Sequence, residues 1–176
     1  MDLITAQRLV FTMLDADGDG VVSRDEYMAR TRNVALATGR KDDDTLVVTA
    51  RTLGEQAWAS MDANGDGRMT FDEYAGWAGA EAFDTVCASV LGALFDLADA
   101  DEDGALNLPE FTTLRTALNN PAGNAEAAFA ALDANGDGRI SRDDYIASIR
   151  AHVTGESSPM GEALYSTGTA QALGGR

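Results

Sequence analysis

Apolar residues recur at helical spacing near both ends of the chain. Leu3, Val10, Phe11 and Leu14 share one face of a predicted helix, and Tyr145, Ile146, Ile149 and Val153 share one face of another. Between them the apolar rhythm stops four times, at DADGDGVVSRDE (15–26), DANGDGRMTFDE (62–73), DADEDGALNLPE (99–110) and DANGDGRISRDD (133–144). These polar segments align without gaps, so the chain is an internal repeat. Four residues before each segment stands an aromatic: Phe11, Trp58, Phe95 and Phe129. Immediately after each stands another: Tyr27, Tyr74, Phe111 and Tyr145. The eighth position is always apolar, as Val22, Met69, Leu106 or Ile140. The repeating unit is therefore a helix, a polar loop and a second helix, with aromatics on the inward faces of both helices.

Start signals mark the second helix of each unit. Ser23 with Glu26, Thr70 with Glu73, Asn107 with Glu110 and Ser141 with Asp144 are each spaced as a capping box. Pro109 falls in a first helical turn, where a missing N–H costs little. The fold class that follows is all-α, in two pairs of helix–loop–helix units, since a single unit buries too little to stand alone. Residues 1–80 form the first pair, residues 81–155 the second, and residues 156–176 a C-terminal tail. Val22 is expected to meet Met69, and Leu106 to meet Ile140, in a short antiparallel bridge within each pair.

Charge alters the picture. Twenty-nine acids against thirteen bases give a net charge of −16, a surface that repels nucleic acid and anionic membranes. Neither is expected as a partner. No apolar run reaches the roughly eighteen residues needed to cross a bilayer, and the N-terminus lacks a basic start and a small-residue cleavage site. A cytoplasmic monomer is the expectation. Cys87 is the only cysteine, which excludes an internal disulfide, and in the apolar stretch 83–97 it is expected as a buried, inert thiol. Lys41 is the only lysine among the thirteen bases, a usage associated with GC-rich bacterial genomes.

The acids are gathered, not scattered. Each polar segment carries Asp at position 1, Asp or Asn at 3, Asp at 5, Gly at 6, a small polar residue at 9 and an acid at 12. That is the oxygen pattern of an EF-hand loop. Calcium takes about six to eight hard oxygen ligands, and the loop offers side chains at 1, 3, 5 and 12, a carbonyl at 7, and position 9 directly or through water. The expected ligands are Asp15, Asp17, Asp19, Val21, Ser23 and Glu26 in loop one, and Asp62, Asn64, Asp66, Arg68, Thr70 and Glu73 in loop two. Loop three offers Asp99, Asp101, Asp103, Ala105, Asn107 and Glu110, and loop four Asp133, Asn135, Asp137, Arg139, Ser141 and Asp144. Because position 7 binds through its carbonyl, its side chain is expected to be free to vary.

Three to four calcium ions are expected. Four would bring the formal charge from −16 to −8. In loop four, Asp144 is one methylene shorter than the glutamates of the other loops, which lowers the ligand count towards the octahedral six that suits Mg²⁺. That site is expected to bind calcium most weakly, with Mg²⁺ as a competitor.

The loops begin 47, 37 and 34 residues apart, and the long first interval places a connecting loop at Gly39 to Asp44. With the four loops and the tail, this stretched interval resembles the sarcoplasmic calcium-binding protein family of the EF-hand superfamily, especially its bacterial, calerythrin-like branch. The resemblance covers nearly the whole chain. It implies two halves packed face to face and often one degenerate loop, commonly the second, whereas Asp62–Glu73 here is intact. It also implies a docked tail. On the residues alone, the cluster Met160, Ala163, Leu164 and Tyr165 reads equally as a free terminus. His152 is expected at the surface or as a helix C-terminal group, not as a metal ligand.

Three functions compete: a calcium buffer, a sensor that regulates an unidentified target protein, and an enzyme or photoprotein. The sequence contains no nucleophile–base pair, and a single His is fewer than photoproteins of this scaffold need. No Met lies within the hands of the second pair, so the adaptable surface of a promiscuous sensor is missing there. Buffering or calcium homeostasis is the expected role.

Overall fold

Asp2 caps the first helix, its carboxylate accepting from Thr5 N at 3.0 Å, and α1 runs Leu3–Leu14. It enters loop one, which leads through β1 (Val21–Ser23) to α2 (Arg24–Ala37). The predicted connection follows, with Gly39 at φ 70°, before Asp44 caps α3 (Thr45–Met61). β2 (Arg68–Thr70) and α4 (Phe71–Trp77) complete the first pair. The computed structural model describes residues 2–120, 122–156 and 158. The tail cluster Met160, Ala163, Leu164 and Tyr165 lies outside them.

The second pair opens with a short helix, α5 (Ala80–Ala82), and a π-helical turn at Phe83–Cys87 that runs into α6 (Ala88–Ala98). Loop three leads through β3 (Ala105–Leu106) to α7 (Leu108–Ala117). A 3-10 turn at Ala122–Asn124, α8 (Ala125–Leu132), β4 (Ile140–Ser141) and α9 (Arg142–Val153) follow. Both expected bridges form: β1 pairs antiparallel with β2, setting Val22 opposite Met69, and β3 pairs with β4, setting Leu106 opposite Ile140. All four residues are fully buried.

The flanking aromatics exchange between the hands of a pair. Phe11, entering loop one, packs 5.9 Å from Tyr74, which leaves loop two. Trp58, entering loop two, packs 5.7 Å from Tyr27, which leaves loop one. Phe95 meets Tyr145 at 5.6 Å and Phe129 meets Phe111 at 5.7 Å in the same exchange within the second pair. Each such pair adds about 0.5–1.5 kcal/mol beyond area burial, and none can form inside one hand. This is why the aromatic positions repeat with the loops.

One hydrophobic cluster runs through both pairs, from Phe11 and Trp58 to Phe95, Phe111 and Tyr145. The helix α3 packs on α6, α2 on α6 and α7, and α1 on α9. Among the described residues no single helix is long and apolar enough to cross a membrane.

Two expectations need correction. His152 is not at the surface: it is 4% exposed, near the end of α9. Burial pushes its imidazole below the ordinary range, so the neutral form is favoured in the last turn of the helix. Cys87, the last residue of the π-helical turn, is half-buried, not fully buried, and lines a cavity; burial still pushes its thiol up to about 11. It stays a thiol at neutral pH, as expected.

Candidate metal centres

Each loop folds around the carboxylate of its first residue. Asp15 Oδ1 accepts from Asp19 N at 3.1 Å and Oδ2 from Gly20 N at 3.0 Å. Asp62 binds Asp66 N and Gly67 N in the same way, Asp99 binds Asp103 N and Gly104 N, and Asp133 binds Asp137 N and Gly138 N. The third residue adds a second bond to the same N–H: Asp17, Asn64, Asp101 and Asn135 each accept from position 5. The fifth, Asp19, Asp66, Asp103 or Asp137, accepts from position 7. The backbone thus aims three side-chain oxygens inward in all four loops.

This turn needs two left-handed residues. The sixth position supplies Gly20, Gly67, Gly104 and Gly138, with φ between 77° and 91°. The fourth is the one that sequence reasoning missed. It is Gly18, Gly65 and Gly136 in three loops but Glu102 in loop three, where a side chain sits at φ 57°. The repeat alignment already contained the signal, as Gly in three of four registers.

Loops one and three bring three carboxylates together. Oxygens of Asp15, Asp17 and Asp19 lie within 4.8 Å of one another, as do those of Asp99, Asp101 and Asp103. In loops two and four an amide, Asn64 or Asn135, stands in the middle, and its Nδ2 donates to the neighbouring Asp66 or Asp137. The donor set is all oxygen, hard and anionic, which fits Ca²⁺ or Mg²⁺ and not a soft metal.

Position 12 spans the loop. Glu26 Oε1 accepts from Ala16 N at 3.1 Å and Asp17 N at 3.3 Å, while Oε2 accepts from Ser23 N and Oγ. Burial opposes charge on Glu26, yet these hydrogen bonds outweigh it and hold the carboxyl below the ordinary range. Glu110 likewise accepts from Ala100 N at 3.0 Å and Asn107 N at 3.0 Å. Glu73 accepts from Asn64 Nδ2 and Thr70 N.

Loop four differs. Asp144 Oδ2 accepts from Ser141 Oγ at 2.7 Å, and Asp144 N donates back to that hydroxyl at 3.1 Å. Among the described residues nothing ties its carboxylate to the start of the loop or to Ser141 N. The predicted capping boxes therefore form at Ser23, Thr70 and Asn107, and the fourth is half-formed. The missing methylene is the cause.

The ninth residues, Ser23, Thr70, Asn107 and Ser141, point their side chains at the N-termini of the exiting helices, as N-caps. The side chains of the seventh residues vary, as expected, and two of them make contacts of their own. Val21 and Ala105 carry no charge, but the Arg68 guanidinium lies 3.5 Å from Asp19, and Arg139 pairs with Asp103. In each pair an arginine of the even loop thus crosses the bridge to the fifth residue of the odd loop. The antiparallel register sets the two loops side by side and makes the crossing short.

The comparisons agree with this architecture. An EF-hand domain pair model matches residues 88–150, and an EF-hand model matches residues 8–29. Calerythrin from Saccharopolyspora erythraea is 25% identical over 151 residues, 80% of this chain and 85% of that protein. Probable calcium-binding protein CML16 from Oryza sativa subsp. japonica is 30% identical over 138 residues, 77% of this chain and 72% of that protein. A Streptomyces coelicolor calcium-binding protein, solved as a structural basis for prokaryotic calcium-mediated regulation, superposes with a TM-score of 0.74. It is 23% identical and covers 89% of this chain and 100% of its own. The chain is a calcium-binding protein of the EF-hand superfamily, and it is similar to calerythrin over most of its length.

Proposed function

We propose that the protein is a cytoplasmic calcium buffer that holds up to four ions and changes shape little on filling. Asp15, Asp17, Asp19, Glu26 and the Val21 carbonyl hold the first ion, and the equivalent residues of the other loops hold the rest. The fourth site, closed by Asp144, is the one that Mg²⁺ contests. The observation that carries the reading is the single apolar cluster shared by both pairs. A sensor must free such a face to grip a target. Here the inward faces of all four hands are already spent on one another. The charge of −16 keeps the chain soluble and draws divalent cations to it.

Titration calorimetry on chelator-stripped protein tests the count: four ions, or three and a weak fourth, against two or fewer if the reading is wrong. Glu26→Gln, Glu73→Gln and Glu110→Gln each remove one site, because an amide offers no second anionic oxygen. A neutral apolar dye such as Nile red tests the role. Its emission stays nearly constant on adding calcium to a buffer. A large rise would instead support a sensor that regulates a partner, the role that the Streptomyces coelicolor protein's description suggests.

A further inference from the structure

In a chain of net charge −16, two inward-facing arginines have no acid beside them among the described residues. Arg115, on α7, is 2% exposed; its Nη2 donates to Asn124 Oδ1 at 2.7 Å, and its buried Nε has no hydrogen-bond partner. Arg30, on α2, is half-buried against the Tyr27 ring, 5.3 Å from its centroid. Among the described residues no carboxylate lies within 4.0 Å of either guanidinium. Arg115 is answered only by the neutral Asn124 amide and by the Phe111 ring, 5.6 Å from its guanidinium carbon, so a buried positive charge there is left without a counter-charge among the described residues.

Both arginines line one cavity of about 90 Å³, together with Tyr145, Asn120 and His152 and, among the described residues, no acid. A second cavity of about 90 Å³ adjoins it, lined by Tyr27, Tyr74, Trp77 and Phe83. The two share Arg30, Val10, Leu14, Leu91 and Ile149 in their walls. One end of the combined space is cationic and the other is aromatic and apolar.

We propose that this space is a second binding site, separate from the calcium loops, for a small apolar molecule bearing one carboxylate. The carboxylate meets Arg115 and Arg30, where a planar guanidinium presents paired donors to two oxygens. The apolar body fills the aromatic arm. Each cavity is too small for a nucleotide, and beyond Arg30 the aromatic arm is lined by no other charged residue among those described.

Octanoate is the probe and octanol its uncharged control, both added to full-length calcium-loaded protein freed of excess calcium. Calorimetry and tryptophan emission read the binding, since Trp77 lines the aromatic arm. Octanoate binds saturably, one molecule per chain, and octanol binds at least roughly tenfold more weakly. Arg115→Met keeps the stem and removes the charge; it weakens octanoate by about tenfold or more and leaves octanol unchanged. Should that variant fail to fold, Arg30→Met, at a half-buried position, shows the same selective loss. The proposal is overturned by equal binding of acid and alcohol, by no saturable octanoate binding at roughly millimolar concentration, or by undiminished octanoate binding in the folded variants.

Discussion

Arg40 reaches from the connection between the first two hands to the first residue of loop three. Its Nη2 donates to the backbone carbonyl of Asp99 at 3.1 Å, and its Nε donates to the carbonyl of Leu97 at 3.2 Å. Nη1 is held by Asp44, the cap of α3, at 3.2 Å. The last carbonyls of a helix lack intrahelical partners, and here a guanidinium from the other pair satisfies those of α6. Hydrogen bonds from a charged donor contribute about 1.5–3 kcal/mol each when they are not solvent-screened. Arg40→Met is therefore expected to lower the thermal midpoint by an amount equivalent to about 2–3 kcal/mol. Calorimetry should also show weakened calcium binding at loop three, with loop one unaffected. An unchanged midpoint would mean that solvent takes over both carbonyls without loss.

Glu102 holds a left-handed backbone where the other three loops have glycine. The strain costs about 1 kcal/mol. What the side chain returns is small, because it is 71% exposed and only 3.7 Å from Arg40 as an ion pair. Glu102→Gly is expected to stabilise the calcium-loaded protein by about 0.5–1 kcal/mol, read by chemical denaturation. Glu102→Ala loses the ion pair and keeps the strain, so it should give no gain. A larger gain from Ala than from Gly would show that charge at this position matters more than backbone.

His152 is the only imidazole in the chain, and burial holds its pKa below the ordinary value. In the unfolded chain it titrates near 6.5. Below that pH the unfolded state takes up a proton that the folded state resists, so folding loses free energy as the medium becomes more acidic. Stability from this group is full above about pH 6.5 and declines as pH falls through it, until the folded imidazole also protonates. A proton NMR titration of the single imidazole should report a midpoint below 6.5 in the folded protein. His152→Gln should flatten the fall in denaturation midpoint between about pH 7 and 5.5.

Arg68 and Arg139 each place a positive charge beside an aspartate that the odd loop offers to calcium. Both pairs are exposed, so their net contribution to folding is small. Their effect on a bound cation is repulsive. Arg68→Ala is expected to tighten loop one, and Arg139→Ala loop three, by about two- to fivefold at low salt, with the gain shrinking as ionic strength rises. If affinity falls instead, the guanidinium is needed to orient Asp19 or Asp103.

Much of this was legible in the sequence because a repeat reports its constraints several times. Asp at 1 and 5, Gly at 6 and an apolar 8 recur wherever the loop turns and bridges, and the structure uses each in all four loops. The aromatic exchange was only half legible: Phe11 and Tyr74 could be placed on inward faces, but the partner of each belongs to another hand. His152 and Arg115 escaped for a related reason. Their helices carry polar residues on the exposed face too, so periodicity does not distinguish a buried polar side chain from a solvated one. Only the packing of α7 and α9 against the first pair makes them internal. Arg40 lies in a connection with no periodicity, and its partners are backbone carbonyls, which leave no trace in the pattern of side chains.

The fourth loop carries the prediction most particular to this chain. In loops one and three the position-12 glutamate reaches across the loop to the position-2 N–H, in loop two it reaches the position-3 amide, and in all three it closes a capping box. Among the described residues the Asp144 carboxylate reaches only the Ser141 hydroxyl. A carboxylate that stops short delivers one oxygen more readily than two, which lowers the coordination number from about seven towards six. Six oxygens at near-octahedral angles favour Mg²⁺ over Ca²⁺. Asn135 removes a further charge, so attraction for either ion is weaker than in loops one and three. Asp144→Glu is expected to raise calcium affinity at this site, reduce competition by magnesium, and complete the capping box, adding a fraction of a kcal/mol to about 1 kcal/mol to the stability of α9 even without metal. Competition calorimetry in the presence of Mg²⁺ reads the first two effects, and helix stability in chelator reads the third. The metal-free gain separates the two consequences of reach. If it appears while ion preference stays unchanged, side-chain length sets the cap but not the choice of cation. If the wild-type fourth site fills first with calcium in excess Mg²⁺, the loop itself closes on the ion and the argument from reach fails.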